Sequence, residues 1–509
     1  MHNHILVFLI FSILNSEYLN LFNRFKLAEL LNKLSITDLL FNERKIFNFQ
    51  INRVLFKGKS YYLGRHLEKS YPKIVKGKGN YLYTEDGRKI LDASSGVAVS
   101  CLGHGNKKII KAMINQLKSG IPYLASVFWS NNVIEELCSK LIESTKGKMG
   151  KVYLTGSGSE ATEAAIKLAR QYYYEQDKNT SRINFIVRKG SYHGNTIGAL
   201  SVSGHELRRI PYIPFLMKNV HFISSCNPYR QQLNNESNNQ FIEKKVAELE
   251  KKFKELGPNT VIGLILEPVV GAALGCVPYV PGYLKSMKEV CHKYGALFIV
   301  DEVMCGIGRT GTLHAWQKEN TIPDIQILGK GLGAGYQSIA AIMASQKIID
   351  VLKKGSKSFI HGHTYQGMPI QAAVALEVLR TIEEKNLLDN VIKLGDYLET
   401  SLKIMLDHHP NVGNIRGSGL FWGIEFVKNK DNKEPFDIKY NIAQEIVSLA
   451  ISSKFNMTIY PGTGTYDGIK GDHIIIAPPF TITKKEIDYI VNALLLIINE
   501  VFNKINVKK

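Results

Sequence analysis

The feature that most restricts this chain is an alternation. Between residues 151 and 345, short apolar runs recur, each ended by Gly, Pro or polar residues and separated by helical patterns. "KVYLTG", "NFIVRKG", "VIGLILEP", "ALFIVDEV", "DIQILGK" and "SIAAIMAS" read as strands, because their β-branched residues suit a pleated, covered surface. "SEATEAAIKLARQYYYEQ" and "GYLKSMKEVCHKYG" read as helices. Strands that are apolar throughout, with helices between them, predict a mainly parallel α/β sheet covered on both faces. Upstream, "NKKIIKAMINQLKS" predicts a helix, and "YLYT", a Glu-Asp-Gly turn and "RKILDA" predict a hairpin. The last 150 or so residues run helix, "FWGIEFV", helix, "HIIIAPPF", which predicts an α+β unit. The stretch "NPYRQQLNNESNNQ" (227–240) reads as a polar surface insertion, and no internal repeat is found.

At 509 residues the chain exceeds one small core. Its six cysteines show no C-x-x-C pair or metal spacing, which predicts buried, reduced thiols rather than a disulfide scaffold. The net charge of +19 invites a nucleic-acid reading, but acids interleave with the lysines, as in "EKKVAELEKKFKEL" (243–256). A solvated basic surface that favours anionic substrates is the reading adopted. No nucleic-acid or membrane partner is expected. The run "ILVFLIFSIL" (5–14) is too short to span a bilayer as a helix. No Lys or Arg precedes it and no small-x-small cleavage site follows, so a secretory signal has little support. Residues 1–57 are read as an extension, either targeting or disordered. A cytoplasmic protein is expected, with mitochondrial import as the alternative.

Ligands of an open parallel sheet gather at the carboxyl ends of its strands. Past "KVYLTG" comes "SGSEATEA", small residues opening a helix whose free N–H groups suit a phosphate. Past "NFIVRKGS" comes Tyr192, which could stack on a flat ring. Past "ALFIV" comes Asp301, a carboxylate in an apolar run, which needs a partner that favours its charge. Arg309 is one candidate for that partner. Past "DIQIL" comes Lys330, fenced by Gly329, Gly331, Gly333 and Gly335. A phosphate cradle, a stackable aromatic, a buried carboxylate and a gated lysine together describe a pyridoxal phosphate site.

The segment "LILEPVVGAALGCVPYVPGYLKSMKEVCHKYGALFIVDEVMCGIGRTGTLHAW", followed by "PDIQILGKGLGAGY", resembles the class III pyridoxal-phosphate aminotransferases, from about residue 60 to the C-terminus. The resemblance implies the fold type I architecture, with a large domain (105–355) around a mostly parallel seven-stranded sheet. A small α+β domain would be built from both chain ends (58–104 and 356–509). It also implies a homodimer with shared active sites. By position, Lys330 would form the Schiff base and Asp301 would partner the ring nitrogen. Val303 and Tyr192 would pack on the two ring faces, and Gly158 and Ser159 would bind the phosphate. Thr364, in "HGHTYQG" (361–367), would reach the neighbouring subunit's phosphate. Arg416, in "IRGSGLFWGIEF" (415–426), would grip a substrate carboxylate. His361 and His363 lack a third ligand, so no metal is expected.

Ornithine- and γ-aminobutyrate-type members carry a glutamate five residues after that of the E-P motif; here, counting from Glu267, that position is Ala272. The chain therefore resembles the ω-amino acid/amine:pyruvate branch, with pyruvate or 2-oxoglutarate as acceptor. A pocket tryptophan common there aligns with Ala98, which implies a roomier pocket, and Phe128 and Trp129 are candidate pocket walls. The alternatives are a decarboxylase or an aminomutase on the same scaffold, and, more remotely, a non-enzymatic basic binding protein.

Overall fold

The computed structural model describes residues 61–68 and 70–507. The extension 1–57, with its apolar run, lies outside the described residues. The chain divides into a unit ending at Pro72 and a unit starting at Lys73. In the first, the described residues form no helix or strand and leave Tyr61, Tyr62, Leu63, Leu67 and Tyr71 exposed.

The second unit opens with the expected hairpin. Strands β1 (Ile74–Lys78), β2 (Tyr81–Thr84) and β3 (Lys89–Asp92) pair antiparallel in that order. The tight turn between β2 and β3 uses Gly87 at φ 85°, a backbone region open to glycine at little cost.

The large sheet has seven strands. They are β4 (Met149–Thr155), β5 (Asn184–Arg188), β6 (Val220–Ile223), β7 (Val261–Leu266), β10 (Leu297–Asp301), β11 (Ile325–Leu328) and β12 (Ala340–Ser345). A two-stranded ribbon, β8 (Val269–Val270) and β9 (Val277–Pro278), intervenes after β7. The spatial order is β4-β12-β11-β10-β7-β5-β6. Its neighbours pair in parallel except at β12, which runs antiparallel to both β11 and β4.

Alternation along these strands explains why they are apolar throughout. Leu297 and Ile299 pack on one face, with Ile262, Ile265 and Ala161 and Ala165 of helix α1 (Gly158–Gln176). Phe298 and Val300 point to the other face, with Leu264, Leu266, Phe241 and Phe253. Both faces are covered, so both parities are mainly apolar, and the buried Gln326 of β11 is paired with Trp316 and His314.

The C-terminal part forms a second antiparallel sheet from β13 (Val412–Gly417), β14 (Trp422–Phe426), β16 (Tyr460–Thr463) and β17 (Asp472–Ile476), in the order β13-β14-β17-β16. Strand β15 (Met457–Thr458) leaves this region to pair in parallel with β3, so the two ends of the unit share one sheet. The cysteines are unpaired; five are buried and Cys138 is partly exposed.

One sequence expectation is corrected. The stretch 227–240 is not wholly a surface insertion: Asn227 is buried, and the short helix Pro228–Gln231 turns Arg230 inward onto Glu425. Only its second half is mainly exposed, and Ser237 there caps the helix Asn238–Leu256. Among the described residues, no helix is long and apolar enough to cross a membrane.

Candidate active site

Strand β10 delivers Asp301 to the sheet's carboxyl end, where it is 3% exposed. Its Oδ2 lies 2.7 Å from His193 Nδ1, and its Oδ1 accepts from Val303 N at 2.9 Å. The Arg309 partnership is not formed. That guanidinium, itself buried, donates instead to the carbonyls of Leu420 (3.1 Å) and Pro478 (2.5 Å). A buried carboxylate needs donors, and Asp301 takes them from a histidine and the backbone. Sequence reasoning missed His193, although it sits beside Tyr192 just past β5. It is held through both backbone groups: its N–H donates to Ser203 Oγ (2.8 Å) and its carbonyl accepts from Thr162 Oγ1 (2.7 Å).

Strand β11 ends one residue short of Gly329, and Lys330 opens a 3-10 turn with φ 40°. The residue is partly exposed, and its ammonium bonds to no protein group among the described residues. Desolvation by the surrounding protein lowers the lysine to about 8. The negative charges of Glu267 and Asp301 oppose that fall, and Arg208 adds to it. A lysine so placed is a substantial fraction free amine at mildly alkaline pH.

Val303 joins the two halves of the site. A Cβ on Gly158 would come within 2.9 Å of Val303 Cγ1, and one on Gly329 within 3.2 Å. The first residue of α1 and the shoulder of Lys330 thus meet over one valine. Within the turn, a Cβ on Gly333 would lie 2.1 Å from the Gln337 carbonyl, which explains one glycine of the fence around Lys330.

At the phosphate end, Ser157 caps α1, its side chain accepting from Glu160 N at 3.3 Å. Ser159 Oγ donates to Asn195 Oδ1 (2.7 Å) and accepts from Asn195 N (3.0 Å), tying the first helical turn to the segment after Tyr192. Glu267, buried at the end of β7, accepts from Tyr192 N (2.9 Å) and Gly271 N (3.1 Å). Burial raises its carboxyl above the ordinary range, with Asp301 adding to the effect. The residues present fit pyridoxal phosphate: a nucleophilic amine, an oriented buried carboxylate, a helix start and an apolar wall converge.

Arg416 is 8% exposed and its guanidinium is already engaged. Nε donates to Gly275 O (2.9 Å), Nη1 to Asn414 Oδ1 (3.0 Å), and Nη2 to Leu274 O. Nη1 also lies 2.6 Å from Glu425 Oε2. Glu425 is fully buried, and Arg230 Nε donates to it at 2.8 Å. A buried charge is held only when paired, and this cluster pairs three. Each nitrogen of the Arg416 fork thus meets a protein oxygen in this structure.

Phe128 and Trp129 are 76% and 66% exposed in the single chain, and Thr364 is exposed in a turn. Trp129 borders a cavity of about 250 Å³ with Leu124, Tyr153 and Gln366. Ala98 and Ala272 share a cluster of mostly small apolar residues with Met304 and Phe421. His361 Nδ1 is 3.0 Å from Lys167 Nζ. Among the described residues, no group of three His, Cys, Asp or Glu side chains is placed to hold a metal.

Comparison with known proteins agrees with this geometry. Residues 64–498 match the family model for class-III aminotransferases. The chain is 45% identical over 438 residues to an aminotransferase of Gibberella zeae, covering 84% of this chain and 85% of that protein. It is 41% identical over 423 residues to an uncharacterized aminotransferase of Schizosaccharomyces pombe, covering 83% and 91%. Among solved structures it is similar to the omega transaminase of Pseudomonas jessenii in complex with PMP, with TM-score 0.81, 30% identity, and coverage of 89% of this chain and 98% of that one. The chain belongs to the class III aminotransferases, pyridoxal-phosphate-dependent transferases of fold type I.

Proposed function

We propose that this transaminase takes amino groups from ω-amino acids or amines and passes them to a keto acid such as pyruvate or 2-oxoglutarate. The observation that carries this reading is the convergence of Lys330, Asp301 and Val303 beside a region lined by small residues. Ala272 stands there in place of a glutamate, and Ala98 in place of a tryptophan. Bound pyridoxal phosphate supplies an electron sink for the carbon that bears the amino group. Asp301, oriented by His193, would partner the ring nitrogen and favour its protonated form. Val303 and Tyr192 fix the ring plane, and the N–H groups at Gly158 and Ser159 take the phosphate. Lys330 would hold the cofactor, and its free amine would be the base that accepts and returns a proton.

The active unit in this proposal is a homodimer with shared sites. Tyr123, Val127, Phe128, Trp129, Ile360 and Tyr365 are all exposed. The two segments that carry them are joined by the bond from Gln366 Nε2 to Ser126 Oγ (2.7 Å) and by Tyr123 against Tyr365 (6.3 Å between centroids). An exposed apolar patch of this kind suits a second copy, and Thr364 lies within it. Phe128 and Trp129 would then wall the partner's pocket. The division into a large domain and a small domain from both chain ends belongs to the same proposal, supported by the pairing of β15 with β3. Six unpaired thiols favour a reducing compartment, the cytoplasm in this reading.

The test is a panel of amine donors with pyruvate and with 2-oxoglutarate as acceptors. Stoichiometric appearance of the aminated acceptor supports the proposal. Carbon dioxide release without it would transfer the chain to the decarboxylase reading.

A further inference from the structure

Arg416 has two kinds of partner. Nε and Nη2 donate to the carbonyls of Gly275 and Leu274, which are neutral, whereas Nη1 meets Asn414 and the carboxylate of Glu425. Resting on the transaminase reading, with Arg416 as the group that takes a substrate carboxylate, we propose that Arg230 is a positioning residue for acceptor recognition. It occupies one oxygen of Glu425 and so keeps Arg416 receptive to the carboxylate of a keto acid.

The neutral partners belong to the loop between β8 and β9, and Tyr192 packs against the cluster that holds Leu274. Glu267 ties this loop to the segment of Tyr192, accepting from Tyr192 N (2.9 Å) and Gly271 N (3.1 Å). Gly423 of β14 lies opposite Arg416, and a Cβ there would come 2.1 Å from the Gly275 carbonyl, so a side chain at 423 would push the loop off the arginine. A carboxylate arriving past Tyr192 therefore exchanges with main-chain carbonyls. A charge-assisted hydrogen bond is about twice as strong as a neutral one, and no ion pair has to break for the exchange.

The charged partners decide how readily it occurs. Asn414, Glu425 and His473 form one row across β13, β14 and β17, with Arg416 two residues along from Asn414 on the same face. Glu425 is fully buried and divides its oxygens between two arginines. Oε2 lies 2.6 Å from Arg416 Nη1, while Oε1 accepts from Arg230 Nε at 2.8 Å and from Arg230 Nη2. His473 is pushed down to about 3 by burial, with Arg416 adding to the fall, so it is neutral. Lys433 is partly exposed; its carbonyl accepts from Arg230 Nη1 and its ammonium donates to the Tyr229 carbonyl (2.7 Å).

The buried group thus holds two guanidiniums and one carboxylate, a net charge of +1. A buried charge left unbalanced is costly, and a substrate carboxylate balances it. Without Arg230 the group would be a neutral pair, with both oxygens of Glu425 left to Arg416 and its charge opposing an incoming anion. Arg230 is well fixed for this task. Its side chain is 8% exposed, and its guanidinium carbon lies 5.1 Å and 5.2 Å from the ring centroids of Tyr229 and Tyr466. The next residue, Gln231, accepts from the buried Lys245 Nζ at 2.8 Å, which anchors the short helix.

The experiment uses the cofactor-loaded enzyme and measures each half-reaction by single turnover, with pyruvate, pyruvamide and a simple amine as probes. Wild type is compared with Arg230→Met, with Arg230→Lys, and with Arg230→Met combined with Glu425→Gln. One unit of charge close by and shielded from water should change the binding of an anion by about tenfold or more. We expect Arg230→Met to raise the pyruvate concentration for half-maximal rate by that factor, and the pyruvamide and amine concentrations far less. Arg230→Lys should recover part of the loss. The double variant returns the net charge to +1 and should recover the preference for pyruvate over pyruvamide, although it removes more of the cluster. Equal damage to pyruvate and amine in Arg230→Met, or a double variant with less preference than the single one, would mark Arg230 as merely structural and overturn its assignment. A wild-type enzyme that does not distinguish pyruvate from pyruvamide would overturn the role of Arg416, and the proposal with it. One that aminates neither acceptor would overturn the transaminase reading on which both rest.

Discussion

Arg416 is 8% exposed, and each nitrogen of its guanidinium meets a protein oxygen; Arg208 is half-exposed, rests on one aromatic ring and meets none among the described residues. The two differ in what surrounds the guanidinium, and burial accounts for the difference. A guanidinium taken out of water needs partners for its charge. One left at a rim is met by water instead. The same contrast separates Glu425 from Asp301. Glu425 meets two arginines, while Asp301 meets His193 and the backbone N–H of Val303.

Breaking the chemical end of this comparison gives the largest effect. Lys330→Ala should lower turnover by about four powers of ten or more, corresponding to ~6 kcal/mol of transition-state stabilisation. Rapid-quench assays with the best donor would measure it, and activity within a hundredfold of wild type would exclude Lys330 as the acting base. Asp301→Asn should keep the cofactor but lose ~3–6 kcal/mol, since a neutral amide cannot hold the ring-nitrogen proton. A variant within tenfold of wild type would remove Asp301 from the site.

Breaking the structural end should act on stability instead. Glu425→Gln strands Arg230 and Arg416 without their counter-charge, and removing one partner of a buried ion cluster costs about 3–5 kcal/mol. Urea denaturation of the loaded enzyme checks this. A midpoint equal to wild type would mean that the cluster is not structural.

How much of this was legible in the sequence follows from range. Asp301 and Lys330 drew notice because each sits at or just past the end of an apolar run, and the end of a strand is a local signal. Lys330 stood out further for its glycines. The strand assignments succeeded for the same reason, since a sheet covered on both faces leaves an unbroken apolar run. His193 had only its adjacency to Tyr192 to mark it, because its partner Asp301 lies 108 positions away. The cluster around Glu425 was hidden more deeply. Arg230 sits 195 positions before it, inside a stretch so polar that it read as surface. Arg208 and Arg209 read as one basic pair, and only the carbonyls gripping Arg209 show that the two are not equivalent.

A smaller effect sharpens the electrostatic side. The neutral amine is the form that captures the cofactor, and Lys330 is lowered to about 8. The rate at which cofactor-free protein takes up pyridoxal phosphate should therefore rise with pH through about 8 and level off above it. A rise that continues to the ordinary lysine range, about 10.4, would contradict a desolvated Lys330. Arg208→Leu removes a neighbouring cation and should move the midpoint upward.

The central claim is that the strand-end assembly is where the chemistry occurs, with Lys330 as the residue that holds the cofactor. Borohydride reduction of the loaded enzyme, followed by peptide mass spectrometry, tests it directly. The account predicts one phosphopyridoxyl group per chain, on the peptide containing Lys330, with activity lost in step with labelling. A label on another lysine, with activity surviving at Lys330→Ala, would contradict it.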